Sequence, residues 1–401
     1  MKMKKPGIGV MKAVQASAEW KAREGYRPTE REIRDKRASM GSNLFYHPKL
    51  ELVDVPIPVP KDDEVLLKVG GAAVCGSDTM FLGADEEDYL YYCGHCKLPV
   101  IIGHEFSGEV VKAGKNVKTF KEGDLVVAET MNGCGECAAC RAGLVNQCEN
   151  LEEIGFTLDG GYAEYLVAKE KFCFHVGDLV SVYGSRERAL EIAAMVEPTA
   201  VAYNGMFVRG GGFCPGGNVA VFGAGPIGLS ATSLAKAAGA AKIFTFEKEP
   251  VRMKLAKDVG ADYVFDPDEL FAAGTSPSEK VMELTDGVGV EMAVEATHDQ
   301  AETIPEIEQM VSIGGTIAQI GISPVRTPVM STYLQKKGVN YHCSIGSSGH
   351  DIWPHVIRLI SSGRIDPGKF LTKCYRLEDA IEAIEAAKRL EGGKFVITPN
   401  W

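Results

Sequence analysis

The sequence has no long hydrophobic run and no excess of basic residues, and these two absences exclude several classes of protein. No segment approaches the roughly 20 consecutive apolar residues that a membrane-spanning helix needs. Lys2, Lys4 and Lys5 precede a short stretch that glycines and Lys12 interrupt, so we expect no secretion signal. The net charge of −11 disfavours nucleic-acid binding, which needs clustered Lys and Arg. We therefore expect a cytoplasmic protein with no nucleic-acid or membrane partner.

Cysteine, in contrast, is abundant, with 11 residues in the chain. In a reducing compartment, clustered cysteines indicate metal binding or catalysis before disulfides. One loop has the spacing C-x2-C-x2-C-x7-C, and four thiolates on a loop predict a closed, tetrahedral structural zinc site. The spacing leaves an iron–sulfur cluster open as the alternative. The predicted ligands are Cys134, Cys137, Cys140 and Cys148. Four other cysteines are expected in the core: Cys173, Cys214, Cys343 and Cys374.

The order of the predicted elements divides the chain into two kinds of region. Strand patterns separated by Pro, Gly and Asp turns occupy residues 50–69 and 100–130. From residue 218 onward, short apolar strands alternate with helical patterns, which is typical of a parallel, doubly wound sheet. An amphipathic helix at Leu377–Leu390 and a strand at Lys394–Thr398 follow. The predicted fold class is α/β, with a β-rich domain beside a doubly wound domain.

Two further segments have the character of insertions. Residues 18–46 are charged and helix-prone, and residues 84–98 contain an acidic run followed by aromatic residues. Cys93, His95 and Cys96 in the second segment are too few ligands to form a metal site by themselves. We expect this segment to line the substrate cleft.

A glycine motif predicts a dinucleotide site. Residues 219–228 read Val-Ala-Val-Phe-Gly-Ala-Gly-Pro-Ile-Gly, so a predicted strand ends in G-x-G-x-x-G and a helix follows. Gly223 permits the tight turn, Gly225 admits a pyrophosphate close to the backbone, and Gly228 lets the helix pack against the strand. Ile227 belongs to the same predicted cofactor-binding turn. The free N–H groups at the helix N-terminus would face the phosphates.

The end of the next predicted strand favours NAD over NADP. Glu247 lies there, and its carboxylate can accept hydrogen bonds from the ribose hydroxyls and repel a 2′-phosphate. Lys248 and Arg252 keep NADP open, because a nearby cation could accommodate a phosphate, and Arg252 is included among the predicted cofactor residues. The glycines alone also leave a flavin or another nucleotide open.

Three separated segments contain candidate ligands for a second metal. They are Gly71–Asp78, Gly103–Glu105 and Met195–Pro198. Together with the four-cysteine loop and the glycine motif, they resemble the zinc-containing medium-chain dehydrogenase family, which includes alcohol, sorbitol and threonine dehydrogenases. The resemblance covers nearly the whole chain after residue 47.

This resemblance implies the domain organisation and the assembly. It implies a GroES-like zinc-binding catalytic domain formed by residues 1–198 and 346–401. A Rossmann NAD-binding domain would occupy residues 199–345. Members of the family are commonly dimers or tetramers, so a homodimer or homotetramer is expected.

Transferred residue by residue, the resemblance implies the ligands of a catalytic zinc. Cys75 and His104 match direct ligands. Glu105 matches a carboxylate that binds zinc or exchanges with water, and Glu197 matches the third ligand, which is glutamate in the sorbitol-dehydrogenase branch. Asp78 matches the acid that orients the zinc-bound histidine. Two zinc ions per chain are therefore expected, one catalytic and one structural.

The resemblance also implies a reaction. Zinc would polarise the substrate hydroxyl as a Lewis acid, Ser77 would receive the proton, and hydride would pass to NAD. Met80 stands where many relatives have the histidine that accepts the proton in turn, so the route of proton release is left open. Lys394 matches a basic residue near the pyrophosphate, with a solvated lysine as the alternative.

The carboxylate-rich ligand set and the whole-chain similarity to bacterial inosose dehydrogenases point to a polyol or cyclitol substrate, for example scyllo-inosose. The sequence leaves two alternatives to this prediction open. One is a threonine or amino-alcohol 3-dehydrogenase on the same scaffold. The other is a relative that binds nucleotide without catalysing a reaction.

Overall fold

The computed structural model describes residues 9–323 and 325–399, which divide into two compact units. The first contains the described residues up to Glu197 and those from Thr372 onward, and the second runs from Pro198 to Leu371. None of the helices in these described ranges has the length and apolar character that crossing a bilayer requires.

The first unit is built mainly from antiparallel strands. Before the second unit its strands are β1 (Val10–Trp20), β2 (Phe45–Pro56), β3 (Glu64–Ala73), β4 (Val100–Ile101), β5 (Glu105–Ala113), β6 (Leu125–Ala128), β7 (Met131–Asn132), β8 (Glu152–Glu153), β9 (Tyr165–Lys169) and β10 (Cys173–His175). Its helices there are α1 (Glu30–Asp35), α2 (Ala138–Arg141), α3 (Leu179–Tyr183) and α4 (Arg186–Ala193). A six-residue 3₁₀ turn, Gly76–Phe81, begins three residues after the end of β3.

The second unit is a parallel sheet of six strands with helices between them. Helix α5 (Val196–Tyr203) leads into it. Its strands are β11 (Asn218–Phe222), β12 (Lys242–Phe246), β13 (Tyr263–Phe265), β14 (Val290–Glu295), β15 (Val311–Gln319) and β16 (Asn340–Cys343). Its helices are α6 (Pro226–Ala237), α7 (Pro250–Val259), α8 (Pro267–Ala272), α9 (Pro277–Leu284), α10 (Gln300–Met310), α11 (Ser331–Lys337) and α12 (Ile352–Ser361).

The strand order in this sheet is β13-β12-β11-β14-β15-β16. Counted within the unit, this is the order 3-2-1-4-5-6 of a dinucleotide-binding domain. The first strand is therefore central, and the chain reverses direction across the sheet beside it. The predicted doubly wound sheet is confirmed.

The chain then returns to the first unit through β17 (Leu371–Arg376), α13 (Ala380–Lys388) and β18 (Lys394–Thr398). Strand β18 joins a seven-stranded sheet in which β3 is central. β3 pairs antiparallel with β5, with β9 along its first half and with β18 at its end. Two distant parts of the sequence therefore build one sheet.

The division into compact units differs from the sequence-based domains at one boundary. Residues 346–371 were assigned to the catalytic domain, but they pack within the second unit. Helix α12 explains this, because its His355 and Leu359 line a common cavity with Leu234 and Ala237 of α6. An apolar helix face beside α6 keeps this segment in the doubly wound unit.

The first predicted insertion, residues 18–46, contains less helix than its composition suggested. Strand β1 extends through Trp20 and pairs with β2, so Glu30–Asp35 is the only α-helix in this segment. Thr29 caps that helix, and the buried Glu32 accepts hydrogen bonds from the N–H groups of Thr29 and Ser39. Local capping therefore limits the helix to a short segment between paired strands.

Candidate active site and metal centres

The register of β3 brings the candidate catalytic residues together. Ala73, its last residue, lies opposite Glu105 of β5 on one side and next to Val396 of β18 in the ladder on the other. Cys75 follows two residues after Ala73, and His104 immediately precedes β5. Backbone pairing to the end of β3 therefore brings Glu105 and Val396, both remote from Cys75 in sequence, close to it.

Cys75, His104 and Glu105 form a compact cluster of possible metal ligands. One ligand atom from each lies within 4.8 Å of the other two. His104 and Glu105 are buried, whereas Cys75 is half-buried. Among the described residues, this cluster contains these three side chains and not Glu197, which lies buried in the first turn of α5.

Asp78 organises this cluster from a fully buried position. Its Oδ2 atom accepts hydrogen bonds from the Cys75 N–H at 2.9 Å and from the Tyr162 hydroxyl at 2.6 Å. Its Oδ1 atom lies 3.6 Å from Nδ1 of His104. Burial alone would lower the pKa of His104, but the Cys75 thiolate and Asp78 raise it well above the usual range. With Nδ1 turned to a carboxylate, Nε2 is the atom available to a metal.

Tyr162 is a site residue that the sequence analysis did not single out. Its hydroxyl donates to Asp78 and lies 3.2 Å from the carbonyl oxygen of Ala73. The available signal was its position in the segment Gly-Gly-Tyr-Ala-Glu at residues 160–164. Without the fold, however, nothing indicated that this tyrosine contacts Asp78.

Glu105 and Lys394 form a buried ion pair. Both side chains are almost completely shielded from solvent. Burial raises the pKa of Glu105, and the charges of Lys394 and His104 oppose that rise. Lys394 was expected near a pyrophosphate or in solvent, whereas it lies inside the first unit and pairs with a proposed zinc ligand. The lysine pairs with the Oε2 atom of Glu105, so the ion pair itself does not use the Oε1 atom.

Ser77 and Met80 lie in the turn that follows Cys75. The Ser77 hydroxyl is buried and has no hydrogen-bond partner among the described residues. A buried hydroxyl without a protein partner is uncommon and indicates a group that meets a ligand or water. Met80 is half-buried and offers no proton-accepting atom.

The four cysteines of the predicted structural site come together as one cluster in the first unit. Their sulfur atoms all lie within 4.8 Å of one another, and none forms a disulfide. Backbone N–H groups point at the sulfurs, including those of Glu136 and Cys137 at 3.4 Å from Sγ of Cys134. These two donors lower the pKa of the Cys134 thiol to about 6, whereas burial raises that of Cys148 to about 12.

The remaining cysteines differ from the expected core positions in part. Cys173 is buried and Cys374 is half-buried, but Cys214 and Cys343 are exposed. Cys214 lies in the loop before β11 and Cys343 ends an edge strand, where neither is covered. Apolar character alone did not indicate which thiols face solvent.

The glycine motif of the second unit has the predicted geometry. Gly223 has φ of +88°, a conformation that favours glycine, and it joins β11 to α6. A Cβ on Gly228 would lie 1.8 Å from the carbonyl oxygen of Gly223, so only glycine fits there. Gly225 caps α6, with Ile227 in the first turn, so free N–H groups open at this end.

Glu247 directly follows β12 beside this turn. Its Oε2 atom accepts a hydrogen bond of 2.7 Å from the N–H of Ala224, and its Oε1 atom accepts from the N–H groups of Lys248 and Glu249. Arg252 is nearby: burial lowers the pKa of its guanidinium, which the charge of Glu247 opposes. The Lys248 ammonium is already paired with Asp268 at 3.1 Å and is turned to that carboxylate.

Comparison with known proteins agrees with these features. Residues 61–178 match the alcohol dehydrogenase GroES-like domain, and residues 226–362 match the zinc-binding dehydrogenase domain. A scyllo-inosose 3-dehydrogenase of Thermotoga maritima is 38% identical, covering 96% of this chain and 98% of that protein. An L-threonine 3-dehydrogenase of Thermococcus kodakarensis is 32% identical, covering 87% and 95%.

Solved structures give the same result. One from Thermotoga maritima, assigned to the alcohol dehydrogenases, has a TM-score of 0.91 and 36% identity, covering 97% of this chain and all of that one. A zinc-binding dehydrogenase of Sinorhizobium meliloti, solved with NADP, has a TM-score of 0.76 and 25% identity, covering 98% of this chain and 100% of that one. The chain therefore belongs to the zinc-dependent medium-chain alcohol dehydrogenase family. It is an oxidoreductase that acts on CH–OH groups, with a GroES-like and a Rossmann-type domain.

Proposed function

We propose that this enzyme oxidises a secondary hydroxyl of a polyol or cyclitol, with scyllo-inosose as the first candidate, and transfers the hydride to NAD. The observation that carries the substrate is the 38% identity to a scyllo-inosose 3-dehydrogenase along almost the whole of both chains. The L-threonine 3-dehydrogenase match is lower in identity, 32%, and covers 87% of this chain.

The residues of the first unit fit two zinc ions per chain. Four sulfurs within 4.8 Å, with N–H donors directed at them, suit a closed structural zinc. Cys75, His104 and Glu105 offer three ligand atoms, which leaves a coordination position for substrate, as a catalytic zinc requires. We propose Glu197 as a further carboxylate that completes or exchanges in this shell.

A bound zinc would supply Lewis-acid polarisation of the substrate hydroxyl. Side chains of the protein would then accept and transfer the proton of that hydroxyl. The Ser77 hydroxyl, buried and without a protein partner, is the proposed first acceptor. Asp78 holds the His104 ring in one orientation, and Lys394 neutralises Glu105 so that its charge is tolerated in the buried site. Met80 cannot continue the proton path, so water is the proposed next acceptor.

NAD is the proposed cofactor because of Glu247. This carboxylate is held in place by three backbone N–H groups at the end of β12, where the second ribose of a dinucleotide is bound in this fold. A 2′-phosphate there would meet a fixed negative charge. Arg252 lies nearby and is the group that would favour NADP, but its positive charge already interacts with the Glu247 carboxylate. Cofactor residues Gly223, Gly225, Ile227 and Gly228 follow from the same turn.

A substrate screen tests the proposal. Purified enzyme with NAD is offered scyllo-inosose, myo-inositol, sorbitol and L-threonine, and NADH formation is followed by absorbance. His104→Ala is the matched inactive control. The highest kcat/KM is expected for a cyclitol or polyol. Lack of turnover on every polyol and inosose contradicts the proposal, and a preference for L-threonine selects the second candidate, an amino-alcohol 3-dehydrogenase. Cytoplasmic location and a dimeric or tetrameric state stay predictions.

A further inference from the structure

An aromatic wall lies against the candidate catalytic cluster. The ring of Phe156 is 4.8 Å from the ring of His104, measured between centroids. Tyr92 stacks on Phe156 at 4.9 Å with an interplanar angle of 16°, and Phe81 stacks on Tyr92 at 4.8 Å. Phe81 and Phe156 are 1% and 3% exposed, so these rings form a packed apolar layer that supports His104 and the segments on either side of it.

A polar pair accompanies the wall. The Nε2 atom of His95 lies 3.3 Å from an Oε2 atom of Glu153. Backbone bonds fix both segments, because the Lys97 N–H donates to the Phe156 carbonyl oxygen and the Phe156 N–H donates to that of Glu153. The His95 side chain is 24% exposed and that of Glu153 is 12% exposed. Both segments are therefore held in place, and part of each side chain is exposed, although the Nε2 atom of His95 is itself buried.

The pair is close enough to the cluster to interact with it electrostatically. Burial raises the pKa of Glu153 to about 7, and the charge of His104 opposes that rise. Burial lowers the pKa of His95 to about 4, so its imidazole is neutral near pH 7. A neutral imidazole both donates and accepts, and a carboxyl group accepts, which is the donor and acceptor set that hydroxyl groups need.

We propose that Glu153 and His95 bind hydroxyl groups of the substrate other than the one oxidised. This inference rests on the proposed function, since it requires a polyhydroxylated substrate. A site that has polar groups prepared for hydroxyls discriminates strongly against an analogue that lacks them, because the buried groups would be left unpaired. The pair would therefore determine specificity rather than catalysis.

The neighbouring Glu152 provides a matched control. It is also a β8 glutamate, but its Oε1 atom pairs with Arg37 at 3.0 Å and its Oε2 atom accepts from the Thr157 hydroxyl at 2.7 Å. Its side chain is 43% exposed. Glu152 therefore joins the first insertion to the loop, and Glu152→Gln makes the same chemical change outside the proposed subsite.

The test compares two substrates of one ring size. scyllo-Inosose carries hydroxyls around the ring, whereas 2-hydroxycyclohexanone carries one hydroxyl beside its carbonyl. For Glu153→Gln, and separately for His95→Gln, kcat/KM with scyllo-inosose should fall about tenfold or more, which corresponds to about 1.4 kcal/mol. kcat/KM with 2-hydroxycyclohexanone should change less than twofold. Glu152→Gln should leave both values within twofold of the wild type.

A merely structural role for the pair would lower kcat/KM equally with both substrates. That result, or an unchanged kcat/KM with both substrates, overturns the inference. Zinc content per chain identifies a variant that has lost its fold, and the other variant then decides. Quenching of NADH fluorescence gives the dissociation constants of both compounds without turnover. If the wild type binds scyllo-inosose but does not oxidise it, the proposed function fails, and the inference is still tested by whether Glu153→Gln weakens that binding about tenfold.

Discussion

The two clusters of metal-ligating side chains in the first unit have different construction. The four-cysteine cluster has identical ligands, backbone N–H groups directed at sulfur, and a small apolar surround of Met131 and Leu151. The Cys75 cluster has three different ligands, surrounded by an acid, a lysine and an unpaired hydroxyl. A uniform, saturated cluster suits a structural role. A mixed, unsaturated cluster suits a reaction in which a ligand position must change its occupant.

The two clusters also differ in how far apart their residues lie in sequence. The four cysteines all come from residues 134–148, so a short loop is sufficient to assemble them. The other cluster combines residues after β3 and before β5 with Lys394 at the start of β18. Its assembly depends on the register of two strand pairs and therefore on the whole sheet. Assembly of the four-cysteine cluster should therefore depend on one loop, and assembly of the Cys75 cluster on the whole sheet.

The largest expected effect is on the mixed cluster. Cys75→Ala removes a proposed ligand of the catalytic zinc, and loss of Lewis-acid stabilisation worth several kcal/mol should lower kcat/KM by about 1000-fold or more. The measurement is NADH formation with the best substrate of the screen. Cys214→Ser, an exposed thiol of the second unit, is the control and should keep full activity. Activity of Cys75→Ala within tenfold of the wild type would remove this residue from the catalytic site.

The buried ion pair should dominate the stability of the mixed cluster. Lys394→Met removes the ammonium that pairs with the buried Glu105 carboxylate, which should cost about 3–5 kcal/mol of unfolding free energy. Denaturant titration measures this. Lys61→Met is the matched control, because Lys61 pairs with Glu64 but is 79% exposed, and such pairs contribute about 0–1 kcal/mol. The double variant Lys394→Met, Glu105→Gln should recover part of the loss; no recovery would show that the pair is not the cause.

The four-cysteine cluster should respond in stability more than in chemistry. Cys140→Ser removes one ligand of the proposed structural zinc, whose binding energy is also folding energy. A loss of about 2 kcal/mol would lower the melting temperature by about 4–8 °C. The folded fraction should keep a kcat within about twofold of the wild type. A fall in kcat as large as that of Cys75→Ala, without a lower melting temperature, would reverse the proposed roles of the clusters.

A change in the second unit should affect neither cluster. Glu247→Ala removes the carboxylate proposed to bind the ribose and to repel a 2′-phosphate, so KM for NAD should rise and the preference for NAD over NADP should fall about tenfold. Glu249→Ala, two residues further on, is the control, since its side chain makes no such bond to the glycine turn among the described contacts. An unchanged cofactor preference would exclude Glu247 from cofactor selection.

Sequence patterns predicted the locally determined features most fully. Strand Lys394–Thr398 has the predicted bounds, and the glycine turn and the four-cysteine loop form as expected. Each of these depends on neighbours a few residues away. The contacts of Tyr162 with Asp78 and of Lys394 with Glu105 were missed because they arise from strand register. Sequence spacing carries no information on which side chains meet across a sheet.

The Glu153–His95 pair illustrates the same limit. The sequence offers three possible metal ligands in this segment: Cys93, His95 and Cys96. In the structure Cys93 is exposed, and Cys96 is buried but belongs to no cluster of metal ligands among the described residues. His95 pairs with Glu153 instead. The residue types in this segment suggested metal binding, whereas the contact of His95 with Glu153 indicates a different role for the histidine.

The measurement that tests the central claim most directly is the zinc content per chain of the wild type and of His104→Ala, by elemental analysis of purified protein. Two independent clusters predict two zinc ions in the wild type and one in the variant, which should keep its melting temperature within a few degrees. One zinc in both proteins, or loss of both ions from His104→Ala, would contradict the division into a structural and a catalytic centre.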